Sequence, residues 1–441
     1  MSDSPQADIK RKLRSSLHTV RDRTFVMTNT VSDEDLVEQF DPLMSPLVWD
    51  MGHIANFEEF WLLRELGGRE AHDAARDAMY NPFDNPRWVR GDLPLLDRQE
   101  ATEYLNEVRH DVDTVLGTTD TVDGPELAKD GFVFAMTIQH EAQHQETILQ
   151  ALNLRSDLTP YELMTTRRIP RQRAVEETER VRIEGGSFAM GTDDRISAYD
   201  NERPSHDVHV DTFEIDRFPV TNHRYATFIK EGGYQRSELW SSAGWSWREE
   251  VDHEAPQGWH ADGEGGWTQL MFGTLRTLDP AEPVIHVSFW EAEALANFEG
   301  GRLPTEAEWE KAASFDSDTG NVRKYPWGND APTTEHANLG QLGWGPAPIG
   351  SYPLGASAYG VEQLLGDVYE WTSSRFLPYP GYSTFPYAEY SEVFFSDENF
   401  RVLRGASWAT APAVARNTFR NWDYRQRRQI LAGIRLAWDV T

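Results

Sequence analysis

No cysteine occurs among the 441 residues. Disulfides, thiolate metal sites, iron–sulfur clusters and cysteine nucleophiles are thereby excluded. Lysine is scarce too, with 6 against 36 arginines. Together these are outnumbered by 72 acidic residues, for a formal net charge of −30. A nucleic-acid partner is not expected, because phosphates need Lys and Arg. An anionic membrane surface is disfavoured for the same reason. Strong negative charge with little lysine suits a salt-rich cytoplasm, where self-repulsion is screened. No apolar run approaches about 18 residues, so no membrane span is expected. The opening, MSDSPQADIKRKLRSS, has no apolar stretch of the secretory kind, and a cytoplasmic location is expected.

What is present is enough apolar material for packed cores: 39% hydrophobic and 12% aromatic residues, with 16 Trp. At roughly 100–200 residues per domain, the length allows two or three domains. The character of the chain changes near residue 165. Before it, apolar residues recur at helical spacing over 8–30, 46–66, 97–117 and 131–153, which predicts a four-helix bundle. Ser45 is the expected N-cap of the second helix and Gly67-Gly68 its stop. The connection over 68–96 is too long for a tight hairpin, and loops of that length are often functional. Residues 166–178 read as a polar linker, dividing domains at 1–165 and 179–441. The second domain predicts short strands, Trp-rich loops and Gly/Pro turns. A strand with a Gly-Gly kink is expected over 182–191, with short helices over 219–231, 288–299 and 304–314. Thr305 and Glu308 form a capping box for the last of these. The fold class expected is an α-helical bundle followed by an irregular, loop-rich α+β domain.

The fourth helix contains QHEAQHQE, in which His140 and His144 are four residues apart and share one face. The same letters fit the H-E-x-x-H motif of zinc hydrolases, where the Glu is general base. That reading needs a third ligand downstream, and Glu162 is the nearby candidate. A third imidazole, His53, lies among apolar neighbours in WDMGHIANFEEF on the second helix. Metal sites in bundles are built from inward-facing groups on facing helices. Three imidazole nitrogens with open positions serve zinc or non-heme iron, and spacing alone does not choose between them. Gln143 would flank such a site.

The helix pair bearing His53 and HEAQH resembles the DinB-like bundle of the sulfoxide synthases of ergothioneine biosynthesis. The second half independently resembles the formylglycine-generating-enzyme or sulfatase-modifying-factor domain, an irregular relative of the C-type lectin fold. The matching pieces include GGSFAMG (185–191), FPVTNHRYATFI (218–229), GRLPTEAEWEKAA (301–313), GDVYEWTSS (366–374), VLRGASWA (402–409) and GIRLAWD (433–439). Formylglycine-generating enzymes use cysteines, so that activity is excluded here. The resemblance implies an O2-dependent enzyme with Fe(II) held by His53, His140 and His144. Its substrates would be hercynine and γ-glutamylcysteine or cysteine, joined through carbon–sulfur bond formation and oxidised to a sulfoxide.

By position, the resemblance implies that Gln143 contacts the substrate imidazole. Asn421 and Trp422 would meet the trimethylammonium group, and Asp423 would lie near the sulfur donor. A tryptophan face suits a quaternary ammonium. Arg87 and Arg90 would hold carboxylates of γ-glutamylcysteine, a task suited to the guanidinium fork. Tyr387, with Tyr382 as the second choice, would donate a proton to reduced oxygen. The alternatives are a zinc-dependent hydrolase using HEAQH and a non-catalytic lectin-like ligand-binding protein.

Overall fold

A computed structural model describes residues 5–155, 161 and 169–440. Glu162 and the first part of the expected linker, 166–168, lie outside the described residues. The chain forms two compact units. The first holds Met1–Leu163 with two short segments, Arg195–Ser197 and Phe272–Thr274. The second holds the remainder.

The first unit is a helical bundle of α1 (Pro5–Thr28), α3 (Leu47–Glu58), α5 (Arg98–Thr118) and α6 (Phe132–Asn153). Two short helices, α2 (Asp33–Val37) and α4 (Ala74–Tyr80), lie in the connections. Apolar residues at helical spacing build its core, among them Leu17, Trp49, Leu62, Leu105, Val112, Phe134 and Leu149. Asp97 and Glu100 close a capping box at the start of α5. The expected second helix differs in two respects. It begins after Pro46, with no side-chain cap, and from Glu59 to Glu65 it widens into a π-helix. Ser45 stands one residue before the N-cap position, which Pro46 holds, and its hydroxyl accepts a hydrogen bond from Arg90 instead (2.7 Å). The 68–96 connection carries α4 and a 3₁₀ turn, Arg87–Asp92.

The second unit is built from small sheets and short helices. Strands β1 (Arg180–Ile183), β4 (Phe213–Asp216) and β14 (Ala437–Asp439) form an antiparallel sheet in the order β1-β4-β14. Strands β2 (Gly186–Met190) and β3 (His206–Val210) pair as a ribbon. The expected single strand over 182–191 is thus two strands, broken at Gly185-Gly186, where Gly186 has φ +125°. Strands β5 (Trp259–Ala261), β6 (Trp267–Met271) and β7 (Thr274–Thr277) form a meander, and β8 (Phe315–Asp316) pairs with β9 (Asn321–Val322). The sheet that carries expected site residues runs β12-β11-β10-β13, from β10 (Tyr369–Arg375), β11 (Phe400–Gly405), β12 (Asn421–Tyr424) and β13 (Ala432–Gly433).

Helices α7 (Asn222–Lys230), α8 (Ser242–Val251), α9 (Phe289–Phe298) and α10 (Glu306–Ser314) complete this unit. The capping box of Thr305 and Glu308 is present at α10, and Ser288 and Glu291 form another at α9. Buried arginines add polar ties. Arg435 pairs with Glu370 (2.8 Å), both fully buried, and Arg404 pairs with Glu310.

Candidate metal centre

His53 projects from α3, and His140 and His144 project from α6 one turn apart. One ligand nitrogen of each lies within 4.8 Å of the others, the one such group of three or more His, Asp or Glu ligands among the described residues. His53 Nε2 and His140 Nε2 are 3.2 Å apart. A His140 Nε2–H donating to His53 Nε2 satisfies this separation in the metal-free protein, and two nitrogens ligating one cation satisfy it equally. Aromatic rings fix the planes: Trp49 stacks on His53 (4.8 Å, 11°) and Phe57 on His140 (3.6 Å, 9°).

Hydrogen bonds fix two of the tautomers. His53 Nδ1 donates to the Tyr80 carbonyl (2.8 Å), and His144 Nδ1 donates to the Asp50 carboxylate (2.8 Å). Each bond leaves Nε2 with its lone pair free, the usual preparation of a metal-binding histidine. Burial first, with an electrostatic contribution from His144, holds His53 well below its ordinary pKa of 6.5. Burial, then His144 and His53, does the same to His140. Both imidazoles are therefore neutral bases at neutral pH. Three nitrogen donors with open positions fit a catalytic first-row metal, and no thiolate is present to favour a closed structural zinc site.

Glu141, the residue that a zinc hydrolase would use as base, is committed elsewhere. Its Oε1 accepts from Arg21 Nε (2.8 Å) and Thr24 Oγ1 (2.7 Å), and its Oε2 from Arg109 Nη2 (3.0 Å). Glu58 completes the group, pairing with Arg21 (2.6 Å) and Arg109 (2.6 Å). Each of the four bundle helices contributes one member of this buried, charge-balanced ring. Burial alone would raise the pKa of Glu58, but the Arg109 and Arg21 guanidiniums hold it below the usual value.

The other expected residues of the first unit fall as follows. Gln143 is half-buried on α6, directly before His144. Arg87 is half-buried in the 3₁₀ turn, where its Nη1 donates to the Leu43 carbonyl (3.2 Å). Arg90 is buried at 5% exposure, donates to Ser45 Oγ and the Asn85 carbonyl, and lies 3.5 Å over the Trp49 ring.

In the second unit, Asn421, Trp422 and Asp423 lie on the edge strand β12, paired antiparallel with β11. Residues alternate faces along a strand. Trp422 packs into an aromatic cluster, stacked on Phe376 (4.0 Å, 8°) with the Tyr390 edge 5.7 Å away. Asp423 pairs with Arg427 (3.5 Å). Tyr387 is half-buried and meets Tyr390 edge-on at 6.3 Å, so Tyr390 joins Tyr387 to Trp422 in one aromatic patch. Burial, then Tyr199 and Asp200, holds the Tyr387 hydroxyl well above its ordinary pKa. The Tyr382 hydroxyl donates to Asp200 (2.9 Å), a carboxylate that also accepts from Ser391 Oγ (2.7 Å).

The residues that sequence reasoning missed are those orienting the histidines, Trp49, Asp50 and Tyr80, and the partners Arg21, Glu58 and Arg109 that engage Glu141 in the buried ring. One signal was available. Asp50 is a carboxylate flanked by the apolar Trp49 and Met51, three residues before His53.

The DinB superfamily matches residues 16–148, and the sulfatase-modifying factor enzyme 1-like domain matches residues 165–440. The chain is 47% identical over 438 residues to a hercynine oxygenase of Mycolicibacterium thermoresistibile, covering 98% of this chain and 95% of that one. It is likewise 47% identical over 435 residues to a hercynine oxygenase of Mycobacterium tuberculosis, covering 97% and 99%. The second unit alone is similar to a formylglycine-generating enzyme of Mycobacterium tuberculosis, at 33% identity over 242 residues, covering 46% of this chain and 76% of that one. With both domain matches and near-complete similarity to these relatives, the chain belongs to the hercynine oxygenase family of oxidoreductases.

Proposed function

We propose that this protein is an O2-dependent, non-heme iron(II) sulfoxide synthase of ergothioneine biosynthesis. It would join C2 of the hercynine imidazole to the thiol of γ-glutamylcysteine and oxidise the sulfur. The observation that carries this reading is the convergence of His53, His140 and His144, two of them oriented from behind, in a member of this family. The reaction balances. The imidazole C2–H and the thiol S–H are lost, and one C–S and one S–O bond form. O2 takes up four electrons, placing one oxygen on sulfur and the other in water.

Fe(II) at the three histidines would supply O2 activation and a common template for thiol and imidazole. The protein's own groups do the rest. Gln143 would hydrogen-bond the substrate imidazole, while Asn421 and Trp422 receive the trimethylammonium group and Asp423 lies at the sulfur donor. Arg87 and Arg90 would pair with its carboxylates. Tyr387 would supply the proton to reduced oxygen, its hydroxyl being protonated at neutral pH. Tyr382, the second choice, donates its hydroxyl hydrogen to Asp200.

An oxygen-electrode assay tests the reading. Protein loaded anaerobically with Fe(II) should consume O2 only when hercynine and a thiol are both present, and zinc-loaded protein should consume none. His53→Ala should abolish uptake. Cysteine run in parallel with γ-glutamylcysteine decides the donor. No uptake with either thiol, despite bound iron, would defeat the proposal.

A further inference from the structure

Two of the metal-site histidines are steadied by neighbouring residues on α3. Trp49 stacks on His53, and Asp50 accepts the His144 Nδ1–H bond. Both are buried, at 1% and 0% exposure. Asp50 carries a further feature. Its second carboxylate oxygen is buried with no hydrogen-bond partner. A buried carboxylate in that condition needs a nearby positive charge.

Arg90 touches Trp49 directly and acts on Asp50 through its charge. Its guanidinium lies 3.5 Å from the Trp49 ring centroid. It and Asp50 interact electrostatically, which offsets part of the fall in the Arg90 pKa that burial causes; the net value is about 10, so the group is charged at neutral pH. Its remaining bonds run to Ser45, just before α3, and to the Asn85 carbonyl in the preceding loop. The side chain is 5% exposed, so these contacts hold it in one place. A stacked, partly desolvated guanidinium–indole contact is worth more than an exposed one.

We propose that Arg90 is a positioning residue of the metal centre, holding Trp49 against His53 and neutralising Asp50 behind His144. The 81–92 loop and the three-histidine site then form one mechanical unit, independently of whatever Arg90 does toward a substrate carboxylate. The inference rests on the reading of the three histidines as one metal site.

The test uses the full chain, free of substrate, with Co(II) as a spectroscopic probe. Co(II) affinity and the ligand-field absorption bands are measured for wild type, Arg90→Met and Arg90→Lys, with melting temperatures recorded. Removing a residue that orients metal ligands weakens binding by roughly tenfold to a hundredfold. Arg90→Met should show that loss together with shifted bands. Arg90→Lys keeps the charge opposite Asp50 but loses the planar stack, so it should fall between, still with shifted bands. If Arg90→Met does not fold, Arg90→Lys decides on the bands alone. Wild-type affinity and bands in the folded variants would overturn the proposal. Failure of wild type to bind Co(II) would overturn the metal reading itself, and this inference with it.

Discussion

Glu141 follows a metal-site histidine in sequence, yet its carboxylate closes a ring with Arg21, Arg109 and Glu58. Neutralising it as Glu141→Gln would leave two buried arginines with one carboxylate. Breaking a buried pair in this way costs about 3–5 kcal/mol. Urea denaturation should show that loss, and unchanged stability would mean that the ring is not what joins the helices. A second expectation concerns pH. His53 and His140 are held below 6.5, so protons do not compete with metal for them at neutral pH. Proton competition from these two groups should be absent between neutral pH and 6.5 and enter only in more acid solution. The stability of the metal-free protein follows the same sign. The part due to these two groups is present above 6.5 and is lost as pH falls through their lower folded values. An NMR titration of the metal-free protein in which the His53 or His140 ring charged at or above 6.5 would contradict the assigned shifts. Sequence spacing disclosed the His140–His144 pair because four residues are one helical turn. It did not disclose Asp50 or Tyr80, whose bonds to the histidines span 94 and 27 residues.

Among the elements, α3 carries the most consequence. At Gly52, one residue before His53, an added Cβ would stand 2.1 Å from Tyr80 Cζ. This glycine lets the end of α4 lie against α3, where the Tyr80 carbonyl reaches His53 Nδ1. Gly52→Ala should therefore cost about 1–3 kcal/mol through overpacking. It should also weaken metal binding, because Tyr80 must move. A metal titration paired with a melting curve checks both effects; a destabilised variant with unchanged metal affinity would separate Tyr80 from the site. Elements whose signals are local were legible. The Thr305–Glu308 box marks α10, and the Gly185-Gly186 pair marks the break between β1 and β2. Ser45 is not the cap because α3 starts one residue later, with Pro46 at the N-cap, and its hydroxyl is engaged by Arg90, 45 residues away. The π-helical turn after Glu58 has no local signature, and Glu59 within it is held by the Tyr104 hydroxyl (2.6 Å).

Across the whole molecule, composition and chemistry give separate expectations. A net charge of −30 makes self-repulsion a real cost at low ionic strength. Salt screens it, with a Debye length of about 10 Å at 0.1 M. The melting temperature should rise from dilute buffer to molar salt, and a flat response would end the salt-rich-cytoplasm expectation. No helix among the described residues is long and apolar enough to cross a membrane. The central claim is that O2 is spent on joining a thiol to an imidazole. The most direct measurement is the mass of the product formed from hercynine and γ-glutamylcysteine by the Fe(II)-loaded protein, under ordinary and under oxygen-18 gas. The account predicts a coupled sulfoxide that carries one heavy oxygen from the labelled gas. A product without a new C–S bond, or hydrolysis products alone, would contradict it.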